Sequence, residues 1–127
     1  MNEFPEFMRK QANAISKKSQ SQGIEGFVFD GADGSQMAIW QCTTNGISQE
    51  HVHEYDEYMV VVQGKYTLST RNGEIELEAG HEHHIKKDLP HSGKWIAGTR
   101  TIHAFGGRRA TRASEEQVQT KQRLTSA

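Results

Sequence analysis

The sequence predicts an all-β protein, an antiparallel sandwich or barrel. Three observations predict it. Short runs rich in β-branched and aromatic residues recur through the middle of the chain. All 12 glycines lie between Gly23 and Gly107, so turn residues punctuate that stretch and are missing from both ends. Asn72-Gly73 separates two alternating segments, and it is the dipeptide that a tight hairpin turn with two positive-φ residues takes.

The elements follow in order. Residues 1–22 read as an N-terminal tail, helical or frayed, with Phe4, Met8 and Ile15 at loosely helical spacing. Asn2 stands where a cap is needed, and Pro5 is tolerated in a first turn. The barrel is expected over residues 23–108. "IEGFVF" and "QMAIWQC" are its first two strands, with "DGADGS" as the turn between them. "EYMVVVQG" is an apolar run of strand length. "YTLST" and "EIELEAG" alternate, so Tyr66, Leu68 and Thr70 share one face and Ile75, Leu77 and Ala79 share another. "HHIKK", "KWIA" and "TIHAF" supply further short strands. Residues 109–127 read as a C-terminal tail, in which Ser114 and Gln117 fit a capping box. Val118 and Leu124 are its only large apolar residues, so a helix there is marginal by itself.

Composition narrows the function classes. Apolar residues make up 34% of the 127-residue chain and mean hydropathy is -0.78, so one small core with polar surroundings is expected. The net charge of -1 comes from 15 basic and 16 acidic residues and offers no basic face for nucleic acid. Cys42 is the single cysteine, which excludes an internal disulfide and suits a reducing, cytoplasmic setting. The N-terminus lacks the apolar stretch of a signal peptide, and no run reaches the ~20 apolar residues of a membrane helix. No membrane partner is expected.

The chemistry concentrates in "HVHEYDE", residues 51–57. On extended backbone His51 and His53 point to one face, where their rings can converge on one ion. Glu57 follows four residues after His53 and adds an anionic oxygen. The strand after it is apolar and can form a dry wall. Histidines on strands are also ordinary residues, and the pair alone does not decide between a metal site and a polar turn.

This stretch resembles the first motif of the cupin superfamily: glycine, histidine-x-histidine, three or four residues, glutamate, six residues, glycine. His51, His53, Glu57 and Gly64 match it in register. "GHEHHIKKDLPHSGKW" keeps the spacing of the second motif, from Gly80 to His91. Lys86, Asp88 and Trp95 stand where that motif has proline, glycine and asparagine. The resemblance covers about residues 24–107. It implies a small antiparallel β-barrel of jelly-roll-like topology. It also implies a divalent transition metal (Fe, Mn, Ni, Co or Zn) held by His51, His53, Glu57 and His91. Two coordination positions would remain for a small oxygen-rich molecule.

Relatives of this kind run dioxygenase, isomerase or lyase reactions, and others only bind a small ligand. The resemblance leaves both readings open. His83, His103 and Tyr55 are the candidates for acid–base or substrate contacts. His81, His83 and Ile85 share a strand face, with Glu82 and His84 on the other. Trp40 and Trp95 read as core or rim packing, and Tyr58 as turn packing. Small cupins usually pair, so a homodimer is expected, with Phe4, Phe7 and Met8 on the barrel or across the interface.

Overall fold

The computed structural model of the chain describes residues 3–116. Nine strands carry the fold: β1 Ile24–Asp30, β2 Gln36–Cys42, β3 Gly46–Ile47, β4 Glu57–Gln63, β5 Lys65–Thr70, β6 Gly73–Glu78, β7 Glu82–Ile85, β8 His91–Trp95 and β9 Arg100–Phe105. They form a five-stranded sheet, β1-β2-β9-β4-β7, and a four-stranded sheet, β3-β8-β5-β6. Every named pairing is antiparallel. Among the described residues no helix is long and apolar enough to cross a membrane.

Period-two alternation positions the core. In β4, Glu57, Met59 and Val61 are buried, while Tyr58 and Val62 are exposed. In β9, Thr101, His103 and Phe105 are buried. Met59, Val61, Leu68, Leu77 and Ile85 make one apolar cluster, and Val28, Ala38, Trp40 and Phe105 belong to a second. Gly64, the last residue of the first motif, takes φ +83, and a Cβ there would meet Thr99 Oγ1 at 2.4 Å. Both facts require glycine.

The hairpin differs from its sequence reading. Thr70 pairs with Gly73, so the turn residues are Arg71 and Asn72. Gly73 takes φ 116, whereas Asn72 is not among the positive-φ residues. The Thr70 hydroxyl accepts the Asn72 N–H at 3.1 Å and moves the turn one residue earlier. Leu77 is buried as expected, but Ile75 is exposed at this sheet edge.

The N-terminal tail is not one helix. It makes three short 3-10 turns, Glu6–Met8, Gln11–Asn13 and Lys17–Ser19, separated by extended residues. Tertiary partners take its backbone groups. Ile15 N–H donates to the Gly26 carbonyl at 2.9 Å, and Ser16 N–H donates to the Thr111 carbonyl at 2.8 Å. Phe4 packs with Phe27 and Ile39 on the outer face of β1 and β2, and Ile15 joins the Val28 cluster. This cover explains why β1 and β2 are buried on both faces. A helical turn begins at residues 113–116. The Asn2 cap, the partner Gln117 of the capping box, and Val118 and Leu124 lie outside the described residues.

Candidate metal centre

Three elements bring the predicted ligands together. Residues 51–53 run extended beside the start of β8, where His51 and His91 exchange two backbone hydrogen bonds of 2.9 Å each. Val52 is exposed between its half-buried neighbours, so His51 and His53 do share a face. One nitrogen from each of His51, His53 and His91 lies within 4.8 Å of the other two. Glu57, at the inward first position of β4, sets Oε1 3.5 Å from Nε2 of both His53 and His91.

The other ring nitrogens are already committed. His51 Nδ1 donates to the Gln49 carbonyl at 2.9 Å, and His91 Nδ1 donates to the Leu89 carbonyl at 2.8 Å. His53 Nδ1 lies 3.3 Å from the Tyr55 hydroxyl. These contacts turn the Nε2 lone pairs toward one point. His53 Nε2, His91 Nε2 and Glu57 Oε1 are buried and have no protein hydrogen-bond partner. Buried polar atoms are rarely left so, and here they converge. Three imidazoles and one carboxylate fit a divalent transition metal.

Asp88 shows how the drifted second motif keeps its shape. It is the only non-glycine described residue with positive φ, at 64°, in the place where the motif has glycine. Its N–H donates to the His53 carbonyl at 2.8 Å. Aspartate tolerates this left-handed conformation better than most residues. Asp88 thus gives the turn before His91 a backbone conformation that glycine adopts readily.

The electrostatics suit a cation. Burial pushes the Glu57 carboxyl up, but the hydrogen bond with His103 and the nearby His91 ring outweigh it and hold the group well below the usual carboxylate range. Burial lowers His53 to about 4, against the pull of Glu57. Burial also lowers His51. It acts the same way on His91, but there the nearby Glu57 carboxylate and the hydrogen bond to the Leu89 carbonyl prevail and the net shift is upward.

No protein-family model matches the sequence, and no curated protein matches it either. Solved structures do match. An RmlC-like cupin from Shewanella frigidimarina aligns with TM-score 0.67, over 78% of this chain and 86% of that one, at 15% identity. KdgF from a Halomonas species aligns with TM-score 0.63, over 75% of this chain and 93% of that one, at 17% identity. This chain has the cupin fold. The polyketide cyclase RemF from Streptomyces resistomycificus shares it, with TM-score 0.60 over 76% of this chain and 73% of that one, at 18% identity.

The other candidate residues are placed unequally. His103 points inward, with Nδ1 2.7 Å from Glu57 Oε2 and Nε2 2.9 Å from Thr101 Oγ1. Tyr55 lies behind the site, stacked on the His53 ring at 4.9 Å and closed in by Gly107. His83 does not reach the cavity. It sits half-buried on β7 opposite Met59. Its neighbours serve elsewhere: His81 Nδ1 accepts the Glu78 N–H at 3.0 Å, and exposed His84 lies 3.6 Å from Asp56. The histidine-rich β7 is thus a separate edge of the sheet. Tyr58 bonds Glu82 on the surface.

A cavity open to solvent is lined by His51, Glu57 and His91. Trp40, Tyr66, Trp95 and Phe105 supply its apolar wall, and Cys42 reaches it too. Burial pushes the Cys42 thiol up to about 12, so it is no nucleophile. Tyr66, paired with Trp95, reaches diagonally over Gly93 of β8; a Cβ there would meet the Tyr66 hydroxyl at 1.8 Å. Gln20, Ser21 and Arg109 also line the cavity. Sequence reasoning missed these three, because they lie in or beside the tails, where no strand pattern points to a site.

Proposed function

We propose that this cupin is a metal-dependent enzyme acting on a small oxygen-rich molecule. The observation that carries the reading is the convergence of His53 Nε2, His91 Nε2 and Glu57 Oε1, buried and without protein partners. His51, His53, Glu57 and His91 would hold Fe(II), Mn(II), Ni(II), Co(II) or Zn(II). The bound ion supplies Lewis-acid polarisation of a substrate oxygen, or the electron chemistry of a dioxygenase where it is redox-active.

The chain's own residues do the rest. His103 and Thr101 fix Glu57 by a relay of two hydrogen bonds. Tyr66, Trp95 and Phe105 give the inner cavity an aromatic wall. Burial holds the Tyr66 phenol above its ordinary range, so it stays protonated and can donate. Titratable groups on the wall favour turnover over simple capture of a ligand, and a polyketide cyclase on the same fold is in keeping with this. Isomerase, lyase and dioxygenase chemistry all fit this donor set.

Elemental analysis of tag-free protein, followed by a substrate screen with oxygen consumption recorded, tests the reading. Stoichiometric transition metal together with turnover supports it. Stoichiometric metal with tight ligand binding and no turnover would favour a binding protein. Absence of any transition metal, with none taken up on titration, would overturn it.

A cytoplasmic homodimer completes the proposal. Phe4 and Met8 pack on their own chain, whereas Phe7 is 72% exposed and free to meet a second copy. Light scattering should give twice the single-chain mass of 14.3 kDa. A single-chain mass at micromolar concentration would refute the pairing.

A further inference from the structure

Arg109 stands on the cavity wall with its charge uncompensated. Gln36, a buried residue of β2, accepts the Arg109 N–H at 2.7 Å and the Ala110 N–H at 2.9 Å, and so fixes the backbone there. The guanidinium carbon lies 5.9 Å from the Trp40 ring centroid, and Nη1 donates to the Ser19 carbonyl at 2.9 Å. Nε and Nη2 have no partner among the described residues, and no described carboxylate pairs with the side chain. One edge of the guanidinium fork is therefore free.

A second group on the same wall lacks a partner. Trp95 is 5% exposed, yet its indole N–H meets no protein acceptor. That N–H packs against Gly46 of β3, so the indole offers the cavity an apolar face. With Glu57 ionised, a divalent ion and Arg109 together leave the cavity net positive.

We propose that Arg109 is the receptor for a carboxylate, and that the molecule taken by this cavity is a small organic acid. The planar fork matches two carboxylate oxygens at once. The proposal deepens the functional reading above by naming its substrate class, and rests on that reading for the cavity being the working site.

The test uses the full chain, metal-free and zinc-loaded, with matched probes: lactate and malonate against lactamide and malonamide. Tryptophan fluorescence reads binding, since Arg109 lies over Trp40. The wild-type chain should prefer the acids over the amides by roughly tenfold or more. Arg109→Gln should abolish that preference at unchanged zinc content. Arg108→Gln removes the same charge from an exposed residue outside the cavity, and should behave as wild type.

Arg109→Lys keeps the charge without the fork and should weaken the acids several-fold. It carries the test if Arg109→Gln loosens the tail. Acid preference that survives Arg109→Gln or is undiminished in Arg109→Lys, or no preference in the wild type, overturns the proposal. Failure of every variant to take up zinc counts against the metal reading alone. An Arg109-dependent acid preference in the metal-free chain would still uphold this one.

Discussion

His103 Nδ1 lies 2.7 Å from Glu57 Oε2, and the two side chains meet across neighbouring strands inside the fold. In the β4–β9 register Glu57 pairs with Phe105 and Met59 with His103, so the contact is diagonal. Thr101 holds the far side of the ring at 2.9 Å. One carboxylate oxygen is thereby tied down, and the other faces the histidine cluster.

Replacing His103 with alanine should free Glu57 from this hold. Metal affinity should fall roughly 10- to 100-fold, the usual effect of removing a partner behind a ligand. A competition titration against a chelator of known affinity measures it. An unchanged affinity would show that Glu57 needs no support or is not a ligand.

His53→Ala should lose most of the bound metal, because Nε2 of His53 has no protein partner and lies 3.5 Å from Glu57. His84→Ala should retain it, since that ring is exposed on the other face of β7. Metal content per chain is the measurement. The reverse outcome, or loss in His81→Ala or His83→Ala instead, would move the site to β7.

Acidification should weaken metal binding in a particular order. Each imidazole must be neutral to bind. His53 is lowered to about 4 and His51 is lowered as well, whereas His91 is raised above its ordinary 6.5. His91 therefore takes its proton first. Between pH 7 and 5 the affinity should drop by about tenfold per pH unit, the signature of one competing proton. A drop near a thousandfold per unit would mean that all three rings titrate together.

The metal-free chain should respond to pH through the same groups. His91, with its raised value, stabilises the fold below its unfolded value, and that contribution is lost as pH rises through the folded value. His53 acts in the opposite sense: its contribution is present above 6.5 and is lost as pH falls toward about 4. Urea titrations of wild type and His53→Ala from pH 4 to 7 should show a smaller acid loss in the variant.

Gln36→Leu should cost roughly 1–3 kcal/mol, because it leaves the Arg109 and Ala110 N–H groups and the Ala110 carbonyl without their partner. Chemical denaturation reads the loss. The same variant should weaken whatever Arg109 binds, while zinc content stays unchanged.

Much of this was legible along the chain. Alternation and glycine spacing located the strands, since a half-buried strand writes its period of two directly into the sequence. The resemblance carried by His51, His53, Glu57 and His91 implied one cluster, and the fold does bring these four side chains together. Tertiary structure decided the rest. The N-terminal segment looked helical from Phe4, Met8 and Ile15, but β1 and the C-terminal tail claimed its backbone groups instead. His103 and His83 were equal candidates as sequence, and strand pairing alone put one beside Glu57 and the other opposite Met59. Arg109 carried no local signal at all. Its role depends on Gln36, 73 positions earlier, because long-range hydrogen bonds leave no periodicity to read.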